Sequence, residues 1–139
     1  MIGTHTGAMN QPEPLFSSSR AFRVWRYGVE HSELVLRTDD DPDEPVELLF
    51  EGVLSMHFDQ LWFTGLVVGR AEDQVLRSPT VDIPHLKVEL GTAGHAAQVV
   101  CRSLTCVGGT SPDGKILWTV TAPRPKSRIS ADIPAVEQA

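Results

Sequence analysis

The sequence predicts an all-β domain. Apolar residues recur at period two in one segment after another, and turn-forming Gly, Pro and Asp residues separate those segments at short intervals. Only one segment, 46–59, also carries an apolar stripe at helical spacing. The expected architecture is about seven strands in a sandwich or a partly open barrel. Residues 1–19 and 122–139 are polar and rich in Gly, Pro, Ser and Thr, and read as a flexible arm and a flexible tail around a single domain over 20–121.

The first strand is expected at 21–27, Ala-Phe-Arg-Val-Trp-Arg-Tyr, where aromatic and β-branched residues favour extended backbone. Residues 33–38 alternate, with Leu34 and Leu36 inward and Glu33 and Arg37 outward. Asp39-Asp-Asp-Pro-Asp-Glu-Pro45 is an acidic loop, because two prolines deny it regular hydrogen bonding. The loop joins 33–38 to 46–51 as a hairpin.

Segment 46–59 decides the fold class. At period two, Val46, Leu48, Phe50, Leu54, Met56 and Phe58 face the core, and Glu47, Glu51, Ser55, His57 and Asp59 face out. At period 3.6, Val46, Leu49, Phe50, Val53, Leu54 and Phe58 share a helical face, which would make the domain α+β. Gly52 weakens a helix by ~1 kcal/mol but serves a strand as a bend or bulge. The neighbouring strands favour β.

Leu61–Gly69 is apolar at both parities and reads as a strand buried on both faces, and 70–84 as a connection ending in Pro84. Residues 85–90 alternate with Leu86, Val88 and Leu90 inward, and 96–107 form a long β-rich run. Ser111-Pro-Asp-Gly114 is a turn, and 115–121 closes the series with Ile116, Trp118 and Val120 on one face.

The formal charge is −6. Nine acids lie within 30–51 (Glu30, Glu33, Asp39, Asp40, Asp41, Asp43, Glu44, Glu47 and Glu51) against Arg37 alone. Such a surface repels phosphate, so direct nucleic-acid binding is not expected, and it attracts basic proteins. Cys101 and Cys106 are five apart and are expected on opposite faces of a strand, as free thiols suited to the cytoplasm. No signal peptide is expected from the N-terminal residues, and no apolar run reaches membrane-spanning length.

Chemical motifs are sparse. His57 and Asp59 share a face with Glu51 and Glu47, a set that could hold a divalent metal for an enzyme, although alternation alone places such residues together. His31-Ser32-Glu33 contains catalytic-triad residue types, but strand neighbours point apart. Asp39–Glu44 lacks the Gly and Glu positions of a calcium-binding loop. The glycines at 91–94 and 108–114 fail the spacing of nucleotide-binding loops, so no cofactor is expected. Trp25, Tyr27, Trp62 and Trp118 are expected mainly in the core. Alternatively, Trp25, Tyr27 or Trp62 lines a small-molecule pocket.

Residues 22–38, from Phe22-Arg-Val-Trp25-Arg-Tyr27 to Arg37-Thr38, together with Val46-Glu-Leu-Leu-Phe50-Glu-Gly-Val53, resemble the front half of small bacterial domains of actinobacterial type that are associated with toxin-immunity proteins. That resemblance implies a cytoplasmic, mostly β domain acting by binding another protein, and transfers no functional residue.

The leading expectation is therefore a non-enzymatic interaction domain. Its contact surface would comprise Glu33, Asp39, Asp40, Asp41, Asp43, Glu44, Glu47, Glu51, His57 and Asp59, facing a basic partner such as a toxin. Strand edges offer a route to a homodimer.

Overall fold

The computed structural model describes residues 13–92, 97–109 and 113–128. Ten strands follow in order: β1 (Glu13–Gly28), β2 (Glu33–Thr38), β3 (Val46–Glu51), β4 (Ser55–Phe58), β5 (Trp62–Arg77), β6 (Val81–Gly91), β7 (Ala97–Cys101), β8 (Ser103–Gly108), β9 (Lys115–Thr121) and β10 (Lys126–Ser127). A single 3-10 turn, Val29–His31, links β1 to β2. The fold is all-β, as the alternation predicts. Every pairing is antiparallel, in one sheet of order β4-β7-β6-β5-β1-β2-β3-β8-β9, with β10 beside β6. The sheet is not closed into a barrel.

Both halves of this sheet turn one face onto a common core. Phe22, Leu34, Leu36, Leu48 and Phe50 from β1–β3 join Phe63, Leu66 and Val68 from β5 and Leu86, Val88, Leu90 and Val99 from β6 and β7 in one buried cluster. Burial of these side chains is the main stabilising term, at roughly 25 cal/mol per Å² of apolar surface.

Segment 46–59 forms two strands, β3 and β4, separated by residues 52–54, and contains no helix. It bends at Gly52, as a glycine between two strands allows. Its first half pairs β8 from Val46↔Gly108 to Glu51↔Ser103, and its second half pairs β7 from Ser55↔Val100 to Phe58↔Ala97. Residues 46–58 and 97–108 are thus one long two-stranded ribbon. At the bend Gly52, Val53 and Leu54 oppose only Cys101 and Arg102, a bulge bracketed by Arg102 N–H to Glu51 O (2.9 Å) and Leu54 N–H to Val100 O (2.7 Å). Gly52 has φ +65°, and a Cβ there would lie 2.7 Å from Arg102 Cγ. Only glycine meets both conditions without strain.

The bulge corrects several expectations. Val53 turns inward and Leu54 is about 40% exposed rather than core, and Met56, on the edge strand β4, is about 40% exposed as well. The 96–107 run breaks at Arg102, and the break puts Cys101 and Cys106 in the same core instead of on opposite faces. Both are free thiols. A second bulge between Cys106 and Val107 displaces β9, so Trp118 and Val120 pack on the core while Ile116 is exposed.

Three further boundaries differ. β1 begins at Glu13, because Glu13–Ser18 pair with Leu66–Arg70 of β5, so part of the expected N-terminal arm is strand. Residues 70–84 are not a connection: β5 and β6 continue as a hairpin with Arg77↔Asp82 near its tip. β5 is buried on one face only, through Phe63, Leu66 and Val68, with Leu61, Trp62 and Val67 exposed. Lys126–Ser127, in the expected tail, pair with Val81–Asp82. The expected arm before Glu13, the tail beyond Arg128 and part of the 111–114 turn lie outside the described residues.

Candidate interaction face

Cross-strand neighbours project from the same face of a sheet. Register therefore places Trp62 of β5, Arg23 of β1, Arg37 of β2 and Glu47 of β3 in one row on the outer face. Trp25 falls in the bulge between Val24↔Leu36 and Arg26↔Val35 and joins this face. Its ring centroid lies 4.7 Å from the Arg23 guanidinium carbon and 4.0 Å from that of Arg37. The same bulge carries Tyr27 to the opposite side, opposite Leu34, so Trp25 and Tyr27 do not form one aromatic surface. Trp25, Tyr27 and Trp62 are 40%, 38% and 59% exposed, which overturns the core reading for all three; Trp118 does pack against the core.

Arg37 is held by Glu47. The carboxylate Oε2 accepts from Nε at 2.7 Å, and Glu47 is 1% exposed. Glu47 therefore cannot serve as the outward contact residue expected of it. Period two correctly put it on the outer face, but Arg37 and the neighbouring structure cover it. A buried carboxylate is tolerated only with such a partner.

The acidic loop sits at the end of this row, clamped by Arg20. Arg20 donates to Asp40 Oδ1 through Nε (3.1 Å) and Nη2 (2.9 Å), and to the Asp41 and Glu44 carbonyls. Asp40 Oδ2 accepts the Ala21 N–H at 3.0 Å. That backbone donor first, and Arg20 second, hold the Asp40 carboxyl below its ordinary range. Asp39 Oδ2 accepts from the Trp62 indole at 3.2 Å, and its Oδ1 lies 3.7 Å from Arg23 Nε. Asp41 Oδ1 caps the Asp43 N–H. Asp41, Asp43 and Glu44 remain exposed at the rim. A cleft of about 310 Å³ opens between loop and sheet, lined by Arg23, Trp25, Arg37, Asp39, Pro42 and Pro45.

The remaining acids lie elsewhere. Glu33 pairs with Arg26 at 3.1 Å at the opposite end of β2, where Glu51 is also exposed. His57 and Asp59, 2.9 Å apart, lie on and just after β4, the far edge strand of the sheet, beside Gln98 and Glu89 in a shallow depression. Glu51 is not among its lining residues. Among the described residues no three His, Cys, Asp or Glu side chains gather closely enough to hold a metal ion, so the set His57, Asp59 and Glu51 is not assembled. His31 is exposed in the 3-10 turn, while Ser32 adopts a left-handed conformation at φ 49°. Burial pushes the Cys101 thiol up to about 12 and the Cys106 thiol up to about 11, so neither supplies a thiolate near neutrality.

The Arg20 clamp and the Arg23–Trp25–Arg37 stack escape sequence reading, because both depend on register between strands. The one available signal was three arginines, at 20, 23 and 26, just before the acidic block. Among the described residues no helix is long and apolar enough to cross a membrane. Comparison with known proteins gives no match: no family model, curated protein or solved structure is similar enough to lend this chain an activity.

Proposed function

We propose that the protein acts by binding another protein through the outer face of β1 and β2 together with the loop 39–45. One observation carries this reading: Trp62, 59% exposed, stands next to a loop that Arg20 has already ordered and whose outer acids, Asp41, Asp43 and Glu44, are exposed. Exposed Trp beside Arg is the residue combination that dominates binding energy at protein interfaces. A pre-ordered loop loses little entropy on binding. Asp41, Asp43 and Glu44 would steer a basic partner, chiefly through association rate. Neutralisation of a basic toxin is one form this could take.

The reading is narrower than the acidic surface expected from composition. Asp39, Asp40, Glu33 and Glu47 are engaged by the protein's own arginines. The recognition residues are then Trp62, Asp41, Asp43 and Glu44, with Trp25 at the cleft. An affinity pull-down from native lysate at low salt tests it, followed by kinetics on whatever is recovered. Trp62→Ala should speed dissociation at least tenfold. Combined Asp41→Asn, Asp43→Asn and Glu44→Gln should slow association and flatten its salt dependence. Retention of the partner by both variants with unchanged rates would sink the proposal.

A further inference from the structure

β9 is the last strand of the sheet order, and among the described residues no strand pairs with its other edge. Backbone alternation identifies the groups that this edge presents, because hydrogen-bonded and non-hydrogen-bonded positions alternate along an antiparallel pair. Gly109 N–H donates to Pro45 O at 2.7 Å, so the odd-numbered residues of β8 turn to β3, while Leu104 and Cys106 turn to β9. Their partners Val120 and Trp118 spend their backbone groups on β8, and Ala122 N–H continues the pattern to Arg102 O at 2.8 Å. Thr119 and Thr121 therefore direct N–H and C=O away from the sheet. Sheet edges are ordinarily protected by shortness, proline, charge or a bulge. β4, at the other end of the order, is four residues long and carries His57 beside Asp59. β9 is seven residues long and has neither charge nor proline from Ile116 to Thr121. Its bulge at Leu117 leaves Trp118–Thr121 regular. β8 and β9 also lack acids, although the chain carries −6.

We propose that two copies of this chain associate by pairing β9 with β9, antiparallel, about a two-fold axis at Thr119. The sheet then runs on from one copy into the other. The two Thr119 residues exchange the backbone hydrogen bonds that the edge leaves unmade. Trp118 of each copy falls opposite Val120 of the other, and both side chains are only partly buried in the single chain. Symmetry makes this aromatic and β-branched pair twice over, which is what favours a second copy over an unrelated strand. Leu117, 54% exposed, falls opposite Thr121. Lys115 lies beyond the paired residues at each end, so like charges do not meet. A contact of five residues from each copy stays below the ~1,200 Å² at the low end of stable interfaces, so the expected Kd is on the order of 100 µM. The pairing rests on β9 alone and does not depend on the 39–45 loop as a binding face.

Sedimentation equilibrium of the full chain from about 10 µM to about 1 mM tests this directly. The mass should rise from one chain towards two. Over the same range the Thr119 and Thr121 amides should gain protection from hydrogen exchange. Thr119→Lys and Thr119→Glu change an exposed side chain, and each places two like charges directly opposite one another across the axis. Each variant alone should stay monomeric, with the circular dichroism spectrum of the parent chain. An equimolar mixture of the two should dimerise again, because the charges then oppose in sign. Trp62→Ala should dimerise like the parent, which separates this contact from the proposed binding face. A chain that stays monomeric at about 1 mM would overturn the proposal. Thr119 and Thr121 amides already protected at the lowest concentration would overturn it too, since the edge would then be covered within one chain. So would dimerisation of the Thr119→Lys and Thr119→Glu variants alone at parental strength, or failure of their mixture to dimerise.

Discussion

At the scale of single residues, the decisive positions are those where backbone conformation and packing agree on one side chain. Gly52 combines φ +65° with the Arg102 side chain in the space a Cβ would need. Gly52→Ala should therefore cost about 2–3 kcal/mol, a left-handed penalty plus displacement of Arg102. At Gly28 φ is −98° and an added Cβ meets nothing nearer than 4.0 Å. Gly28→Ala should be neutral or stabilise by up to ~1 kcal/mol through the unfolded chain. Urea unfolding of both variants separates these cases, and equal midpoints would contradict the assignment. Glu47 shows the limit of reading alternation. Period two assigns a face, but it does not say whether that face is covered. Leaving Arg37 without its buried carboxylate by Glu47→Ala should cost roughly 3 kcal/mol. A cost below 1 kcal/mol in the same assay would show that Glu47 is not effectively buried.

At the scale of elements, strand identity was legible and strand irregularity was not. The strands at 33–38, 46–51, 85–90 and 115–121 follow from their alternation. The extra residues near Trp25, Gly52 and Leu117 do not, because a bulge is specified by which strand lies opposite. The bulges near Trp25 and Leu117 shift parity, which is why the alternation misplaces Tyr27 and Ile116; Met56 keeps the core-side register of Phe58, and it is exposed because β4 is the edge strand. The turn at Arg102 has a measurable chemical consequence, since it places Cys101 on β7 and Cys106 on β8 in one core. Both thiols titrate higher in the folded protein than the ordinary 9.0. A raised folded pKa means the unfolded chain loses its proton first as pH rises. Their contribution to stability is therefore full below pH 9. It falls as pH rises towards about 11 for Cys106 and about 12 for Cys101. Each thiol should contribute a slope of up to ~1.4 kcal/mol per pH unit in that window. Replacing both with Ala should flatten stability between pH 9 and 11 as measured by urea midpoints. In the native protein at pH 8, Ellman's reagent should react only as fast as the core opens; rapid labelling would contradict this burial.

At the scale of the whole molecule, the ribbon formed by 46–58 and 97–108 explains how one open sheet encloses one core. β3 and β8 belong to one end of the sheet order, and β4 and β7 to the other. Because the same two chain segments supply both pairs, the ends are covalently joined through Gly52–Leu54 and Arg102 and are held near each other without closing a barrel. Neither half can then separate without uncovering the side chains of the other, so the halves should unfold together. Tryptophan fluorescence and far-UV circular dichroism should give coincident urea transitions. The ribbon pairs residues some 40–60 positions apart in sequence, so closing those loops precedes most of the stabilising contacts and refolding should take milliseconds to seconds. Native-state hydrogen exchange would map the same hierarchy. Amides shared by β3 and β8 and by β6 and β7 should exchange only through global unfolding, whereas those of β10 and the outer edge of β9 should exchange by local fraying. Protection reaching the global value in β3 and β8 but well below it in β6 and β7 would show two independently opening halves, and would break the link between this ribbon and the cooperativity of the fold.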